Sequence, residues 1–442
     1  MKSRRTFIAL GASAAATSLG GIPLLARAQL TPSCTQPWPA GAKTTPWSAP
    51  GYQKLIDRIS AYDPSYNWTR LTKAYAAMRA LPASDPRSLA AQQNVHAWFC
   101  QTCMSGQPPP YDIHGRWTFF VWHRAFLHFH EHILGLLVND TTLRLPYWDW
   151  ENPSRQNLPN QYYQGALNDT TRALQPGQSV QRNVPGVGFY NLITGVPPEI
   201  ALNFTDFGGD ATSGGDVENN PHGFVHMSVG GLNGDMGNLE LAAGDPIFFA
   251  HHANVDRLWY SWENYNGNVD PAGLNSLGPF TFHDGNSWRT ITPAQMIPTT
   301  KIGYRYDTVV SPPAPFRFHF PLVVLQNRVL QRPVPENLAA LAEANTVAVS
   351  LSHVEYTGAG AFTILAKDAT GSHVVGTFFV VPHGKHAMSK AHATNVRFIV
   401  PAATAKVLAQ PGASFTIQRS AGLLTAAAIT PAKFQGITLS VR

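Results

Sequence analysis

The sequence predicts a mainly α-helical metal-binding domain, a helix bundle with long loops, followed by a smaller C-terminal β-sandwich. Three observations carry this. Histidines cluster at helical spacing in two stretches, residues 96–123 and 222–252. Between them, residues 152–217 are rich in Gly, Asn and Pro with little periodicity, which reads as long surface loops. Beyond residue 345, apolar and polar residues alternate in short runs, the period of strands.

The second cluster runs from Pro221 to Asp256. His222 and His226 are four apart, which stacks their imidazoles on one helical face. Asp245-Pro246 reads as an N-cap followed by Pro at the first helical position. It opens an aromatic-rich helix with His251, His252, Asp256 and Arg257 in its first three turns. An isolated His pair at this spacing is ordinarily surface decoration; a third His in reach favours a site. Three imidazoles from two helices suit copper, zinc or iron. No Cys or Glu-x-x-His accompanies them, which weighs against structural zinc and a di-iron bundle.

A matching half lies upstream. Asp85-Pro86 is expected to open a helix with Leu89, Gln93, His96 and Cys100 on one stripe, and His114 and His123 follow. Two sets of three histidines imply a binuclear site inside the bundle. His128, His130 and His132 alternate, so a helix spreads them over roughly 200° and they cannot share one metal. His128 and His132 read as a partly exposed polar face. Glu131 is expected as a buried carboxylate that orients ligands or pairs with Arg257. LPYWDW (145–150) reads as core aromatics around a hydrogen-bonding Asp149.

HAWFC (96–100), HGRWTFFVWHRAFLHFHE (114–131), LPYWDW (145–150), ENNPHGFVH (218–226) and DPIFFAHHANVDRLW (245–259) together resemble the type-3 copper family of tyrosinases, catechol oxidases and haemocyanins. The likeness is greatest to plant-type polyphenol oxidases and covers about residues 50–308, where Tyr304-Arg305-Tyr306 matches a closing Tyr-x-Tyr motif. The resemblance implies a dicopper domain using O₂ as co-substrate. The first copper would be held by His96, His114 and His123, and the second by His222, His226 and His252. His251 would point away, toward Asp256 or another helix. It also implies a Cys100–His114 thioether, leaving Cys34 and Cys103 for a disulfide. Plant-type proteins place that disulfide Cys where this chain has Ala97, so a Cys34–Cys100 pairing competes.

Glu218 matches a residue that holds a water beside the copper pair and helps take a proton from phenol. Gly223 stands where other members carry an Asn for the same task, so oxidation of o-diphenols (catechols) to o-quinones is a firmer expectation than ortho-hydroxylation of monophenols. Leu239, in DMGNL (235–239), replaces a Phe that often lies over the metals, which implies a more open entrance. Met227, Val225 and Phe248 are further candidates for its apolar lining. The expected partners are small phenols and a copper-delivery protein. Rival readings are a haemocyanin-like oxygen carrier, an o-aminophenol oxidase, and a zinc or di-iron hydrolase, the last disfavoured by the imidazole-only ligands.

At the N-terminus, Ser3-Arg4-Arg5-Thr6-Phe7-Ile8 is a twin-arginine signature. A mild apolar run and Ala26-Arg27-Ala28 follow, so residues 1–28 read as a signal peptide. The run is rich in Gly, Ser and Ala and makes a poor membrane span. Bacterial export to the periplasm or medium is the expectation. Without Lys2, Arg4, Arg5 and Arg27, the formal charge of +6 falls by four to +2. That offers no electrostatic case for a nucleic-acid partner. Residues 29–308 would form the dicopper domain and 309–335 a linker containing SPPAPF. Residues 336–442 would form the β-sandwich, whose AFTILAKD resembles the plant-type domain that covers the active site. PHGKHAMSKAH (382–392) reads as an exposed polar loop.

Overall fold

Among the described residues, the longer helices of the metal-bearing part are these. Helix α1 (Trp68–Ala80) starts at Asn67, whose side chain accepts from the Arg70 amide. Helix α2 (Leu89–Phe99) starts at Ser88, whose hydroxyl accepts from the Ala91 amide. This is later than Asp85-Pro86 predicts, because the Asp85 carboxylate folds onto Arg87, accepting from its amide at 2.9 Å and its guanidinium at 2.7 Å. Helix α3 (Thr118–Leu137) is buried almost all round, as a helix at the centre of a bundle must be. Helix α4 (Gly223–Gly230) follows a wide π-turn, Glu218–His222. Pro221 lies inside that turn, and with no N–H to give it cannot continue an ordinary α-ladder. Helix α5 (Ile247–Glu263) starts where Asp245-Pro246 predicts; the Asp245 carboxylate accepts from the Ile247 amide at 3.1 Å.

The computed structural model describes residues 36–442 apart from 53, 101–112, 181–202, 266, 311–317, 323, 326–327, 330–334, 345, 383–390, 421–426 and 442. The signal sequence, Cys34, Cys103, His383, His386 and Met388 lie outside the described residues. Of the expected long loops, residues 153–167 form three short 3₁₀ turns and Phe204–Gly208 a short helix.

A buried charge network ties these helices to two short parallel strands, β2 (Ile56–Arg58) and β5 (Tyr304–Tyr306). Strand β1 (Thr45–Pro46) meanwhile joins β3 (Phe280–His283) and β4 (Trp288–Ile291) in a small sheet. Arg58 reaches Glu131 on α3 at 3.0 Å and Asp256 on α5 at 3.3 Å. Arg124 on α3 contacts the other Asp256 oxygen at 2.6 Å, and Tyr304 and Tyr306 donate to Asp256 at 2.5 and 2.7 Å. Four partners around one buried carboxylate hold it in the charged form; the two guanidiniums outweigh the burial that would neutralise it.

The C-terminal part is two sheets around their own apolar core. One runs β12 (Ala391–Pro401), β9 (Thr346–Thr357), β15 (Gly436–Val441), β6 (Phe318–Leu322). The other runs β11 (Gly371–Val380), β10 (Gly360–Asp368), β13 (Ser414–Ser420), β8 (Arg328–Val329), β7 (Val324–Leu325), with β14 (Ala427–Pro431) on β13. Strands β6, β7 and β8 fall inside the stretch expected as linker. Strand β6 pairs antiparallel with β15 from Phe318↔Val441 to Leu322↔Ile437, so this stretch supplies sheet edges. Strand β11 serves both cores. Its period of two sends Phe378 into the sandwich and Phe379 into the helical core, against Phe224 at 5.1 Å.

Asp256→Ala leaves two guanidiniums buried without their shared carboxylate, and the expected loss is about 3–5 kcal/mol. Denaturant unfolding of the metal-free protein measures it. A loss no larger than the ~1 kcal/mol of an exposed ion pair would show that the network is decorative.

Candidate metal centre

Four of the imidazoles are aimed by a carbonyl. His123 on α3 and His222 at the end of the π-turn donate from Nδ1 to the carbonyl four residues earlier, Phe119 O at 2.7 Å and Glu218 O at 3.1 Å. His96 on α2 donates to Leu239 O at 2.8 Å, and His226 on α4 to Met236 O at 2.7 Å. A carbonyl only accepts, so in all four rings the proton sits on Nδ1 and Nε2 keeps its lone pair. Close backbone crossing makes one of these bonds reachable. A Cβ on Gly230 would meet Gly237 N at 1.9 Å, and only glycine lets the 234–237 segment pass the end of α4 with Met236 facing His226.

The freed nitrogens converge. His123 Nε2 lies 3.4 Å from His96 Nε2, and His226 Nε2 lies 3.3 Å from His252 Nε2. With the proton on Nδ1, His96 and His123 point two lone pairs at each other with no hydrogen between. Two nitrogens each about 2.0–2.1 Å from a shared metal at a tetrahedral angle would be about 3.3–3.4 Å apart. The residues fit a metal. His222 Nε2 is buried with no hydrogen-bond partner among the described residues, the state of a donor that a metal would satisfy. The His114 ring completes the first set at 5.3 Å from both His96 and His123. His252 stacks on His123 at 4.3 Å and 7°, joining the two sets.

Burial keeps these rings neutral. It drives His123 to about 3 and His226 to about 4, and His222 and His252 well below the usual imidazole range. A neutral imidazole is the ligating form, so the site is ready for metal across the neutral range.

His251 differs from expectation. It belongs to a group of four buried imidazoles with His222, His226 and His252 whose ligand atoms lie within 4.8 Å of one another. Its partner is not Asp256. Trp150 Nε1 donates to His251 Nδ1 at 3.0 Å, which leaves the proton on Nε2 and so no lone pair there. Sequence reasoning read Trp150 as core packing, and nothing in LPYWDW marks one indole as the group that sets a histidine's tautomer. Glu131 accepts from Arg58 and from the Leu145 amide at 2.7 Å, while Arg257 pairs with Glu151 at 2.7 Å, so the expected Glu131–Arg257 pair does not form. His128 is buried against Trp47 and Phe129 rather than part-exposed. Cys100 Sγ lies 3.8 Å from His114 Nδ1 and 3.6 Å from His96 Nδ1.

His114, Glu218, His222, Gly223 and Leu239 line a cavity of about 220 Å³. Glu218 spans the two sets, its carboxylate accepting from the Gly115 amide at 2.6 Å and its carbonyl holding His222. Met227, Val225 and Phe248 belong to the core, not to this cavity. Phe248 instead packs on His96 at 4.9 Å and on His252 at 4.1 Å, fixing both rings.

The fold and site define a protein with two adjacent buried clusters of imidazoles, the first with Cys100 beside it, suited to a binuclear metal centre. Residues 86–186 and 167–265 match the common central domain of tyrosinase. The chain is 33% identical over 310 residues to a chloroplastic polyphenol oxidase A1 of Vicia faba, covering 62% of this chain and 51% of that one. It is similar to the structure of latent apple tyrosinase at 25% identity and a TM-score of 0.66, over 89% of this chain and 100% of the other. A functional unit of octopus hemocyanin, at 20% identity and TM-score 0.57 over 88% of this chain and all of the other, shares the fold alone. The chain spans about half the length of the curated relatives it matches. Residues 86–265 thus carry the central domain of the type-3 copper tyrosinases, the chain is similar to plant polyphenol oxidases, and the two imidazole sets suit that family's pair of copper ions.

The buried rings make the metal-free protein acid-sensitive, with a definite sign. Unfolded, each ring takes up a proton as pH falls through about 6.5. Folded, His123 and His226 do so only near 3 and 4. The unfolded state therefore binds more protons in that window. Stability falls with falling pH by about 1.4 kcal/mol per pH unit per ring. The melting temperature of metal-stripped protein should drop steeply from pH 6.5 to 4.5, and less so in His123→Gln. A flat profile would contradict the burial.

Proposed function

We infer that this chain oxidises catechols to o-quinones with dioxygen, with copper held by His96, His114 and His123 on one side and His222, His226 and His252 on the other. The observation that carries the reading is the facing of neutral Nε2 atoms at 3.3 and 3.4 Å beside a cavity of about 220 Å³. The copper pair, when bound, supplies two-electron exchange with O₂, so two catechols and one O₂ give two quinones and two waters. The protein's part is placement and proton handling. Phe119, Glu218, Met236 and Leu239 carbonyls fix the ligand rings. Cys100 beside His114 supports a thioether that would fix that ring further.

Glu218 stands at the cavity with its Oε1 tied to the Gly115 amide, suited to hold a water that takes the phenolic proton. At Gly223 no side-chain amide shares this task. Diphenol oxidation therefore precedes monophenol hydroxylation in the reading. The imidazoles are buried, so a copper-delivery partner acting before the two parts close fits the structure. Among the described residues no helix is long and apolar enough to cross a membrane. Export by the twin-arginine route rests on Arg4-Arg5 and Ala26-Arg27-Ala28; the matched plant relatives are named chloroplastic, and cell fractionation decides between destinations.

Oxygen uptake by the copper-loaded chain on 4-methylcatechol and on 4-methylphenol tests the reading. Uptake with the catechol is expected, and Glu218→Gln should lower its rate about 10²-fold or more with two coppers still bound. An unchanged rate would remove Glu218 from proton handling. Reversible oxygen binding without turnover of either compound would leave the oxygen-carrier reading instead.

A further inference from the structure

Two adjacent histidines on α5 stand at the second imidazole set, and something must decide which of them is the ligand. His251 and His252 are both buried. With His222 and His226 they form a group whose ligand atoms all lie within 4.8 Å of one another. The His251 ring stacks on His222 at 5.4 Å and 13° and stands edge-on to His226 at 5.0 Å. Proximity therefore does not keep His251 off the metal. Its arrival would make a set of four imidazoles, and a four-ligand site is closed, whereas a catalytic one keeps a position open.

Trp150 bars it with one hydrogen. The indole N–H can only donate, and it lies 3.0 Å from His251 Nδ1. Nδ1 must accept, so the proton of the neutral ring stays on Nε2, and a protonated nitrogen cannot ligate. The opposite tautomer would set two hydrogens against each other. The tautomer that results has its own cost. His251 Nε2 is buried with no hydrogen-bond partner among the described residues, and an unmet buried donor costs about 1–3 kcal/mol. His252 meets no such instruction: its Nδ1 has no partner among the described residues, and its Nε2 faces His226 Nε2 at 3.3 Å.

The indole cannot turn away, because the chain on both sides of it is tied to α5. Before it, the Trp148 amide donates to the carbonyl of Ala250, the residue preceding His251, at 3.0 Å. After it, the Glu151 carboxylate accepts from Asn254 and from Arg257, each at 2.7 Å. Residues 250, 254 and 257 lie on one stripe of the helix, so these bonds fasten residues 148–151 along it. They register the buried Trp150 against His251 rather than His252.

We propose that Trp150 selects the ligand within the His251-His252 pair. Its N–H holds His251 in the non-ligating tautomer, keeps a fourth imidazole from the second metal and so preserves an open position there. This rests on the ligand set proposed above. Trp150 is a positioning residue, acting on the metal only through His251. Trp150→Phe removes the N–H, so the His251 proton can move to Nδ1 and the Nε2 lone pair can join the set. One proton shifts between two nitrogens of a neutral ring, with no change of charge.

The test uses the full chain loaded with zinc, which is redox-inert and diamagnetic. NMR of protein carrying nitrogen-15-labelled histidine reads the tautomer, and EDTA challenge reads how firmly each ion is held. In the unaltered chain His251, assigned by the signal missing from His251→Gln, should show a protonated Nε2 and a bare Nδ1. In Trp150→Phe, Nε2 should lose its proton and one of the two zinc ions should leave about tenfold more slowly or better, the scale on which outer partners move metal affinity. Adding His251→Gln to Trp150→Phe should return that rate to the unaltered value. A tryptophan that merely packs predicts the opposite sign, since loosened packing speeds release.

A bare Nε2 on His251 in the unaltered chain would overturn the proposal, and that measurement stands even if Trp150→Phe does not fold. Zinc release unchanged or faster in Trp150→Phe would overturn it too, as would slowing that persists without His251. Any of these with two zinc ions bound leaves the ligand set intact, whereas fewer than two zinc ions per unaltered chain would sink that set itself.

Discussion

The centre depends on backbone carbonyls deciding which nitrogen of four of its imidazoles is left for a metal. Neutral histidine has one donor and one acceptor nitrogen, and a buried ring without instruction would hydrogen-bond its neighbours instead. Here the carbonyls of Phe119, Glu218, Met236 and Leu239 take the Nδ1 proton in four rings. Two of these bonds are local, four residues back along the ligand's own helix or turn. The other two come from one short segment: Met236 holds a ring of the second set and Leu239 a ring of the first. Residues 236–239 thus register the two halves of the centre against each other.

Holding the lone pairs of His96 and His123 3.4 Å apart without a metal is unfavourable, so the surrounding frame must resist relaxation. The Asp256 network supplies part of that resistance. It joins α3, which carries His123, to α5, which carries His252, through Arg124 at 2.6 Å, and adds Arg58 and two tyrosines from the strands. Such charges are costly to bury and costly to unpair. Their value here is positional: the two helices cannot slide without breaking several charge-assisted hydrogen bonds at once. Phe248, wedged between His96 and His252, transmits the same constraint by packing.

What was legible in the sequence follows from this division of labour. Histidines at helical spacing, and the Asp-Pro start of α5, carry their meaning in side-chain identity and period, and α5 begins where that pair predicts. Met236 and Leu239 act through carbonyls, which any residue possesses, so DMGNL pointed to the Leu239 side chain and was silent on its main chain. Partner choice across the core was equally hidden. Glu131 reads as a buried carboxylate, yet whether Arg58 or Arg257 meets it depends on where β2 passes, which no local pattern encodes. Trp150 fixing the tautomer of His251 belongs to the same class. The stretch 318–329 reads as linker because an edge strand of a few residues, flanked by prolines, has too little alternation to stand out from an extended chain.

Leu239 and Gly223 show how the C-terminal part enters the chemistry without contributing a ligand. The carbonyl of Leu239 aims His96, while its amide is spent on Pro382, so the same residue touches the metal centre and the C-terminal part. Gly223 follows a ligand directly and has the Phe379 carbonyl where its side chain would be. A side chain at 223 able to orient water and a wall seated at that point are therefore mutually exclusive. On this view the glycine is not a missing part of the proton-handling apparatus. It is what lets a strand bounded by two cores, Phe378 in one and Phe379 in the other, stand close enough to wall the cavity.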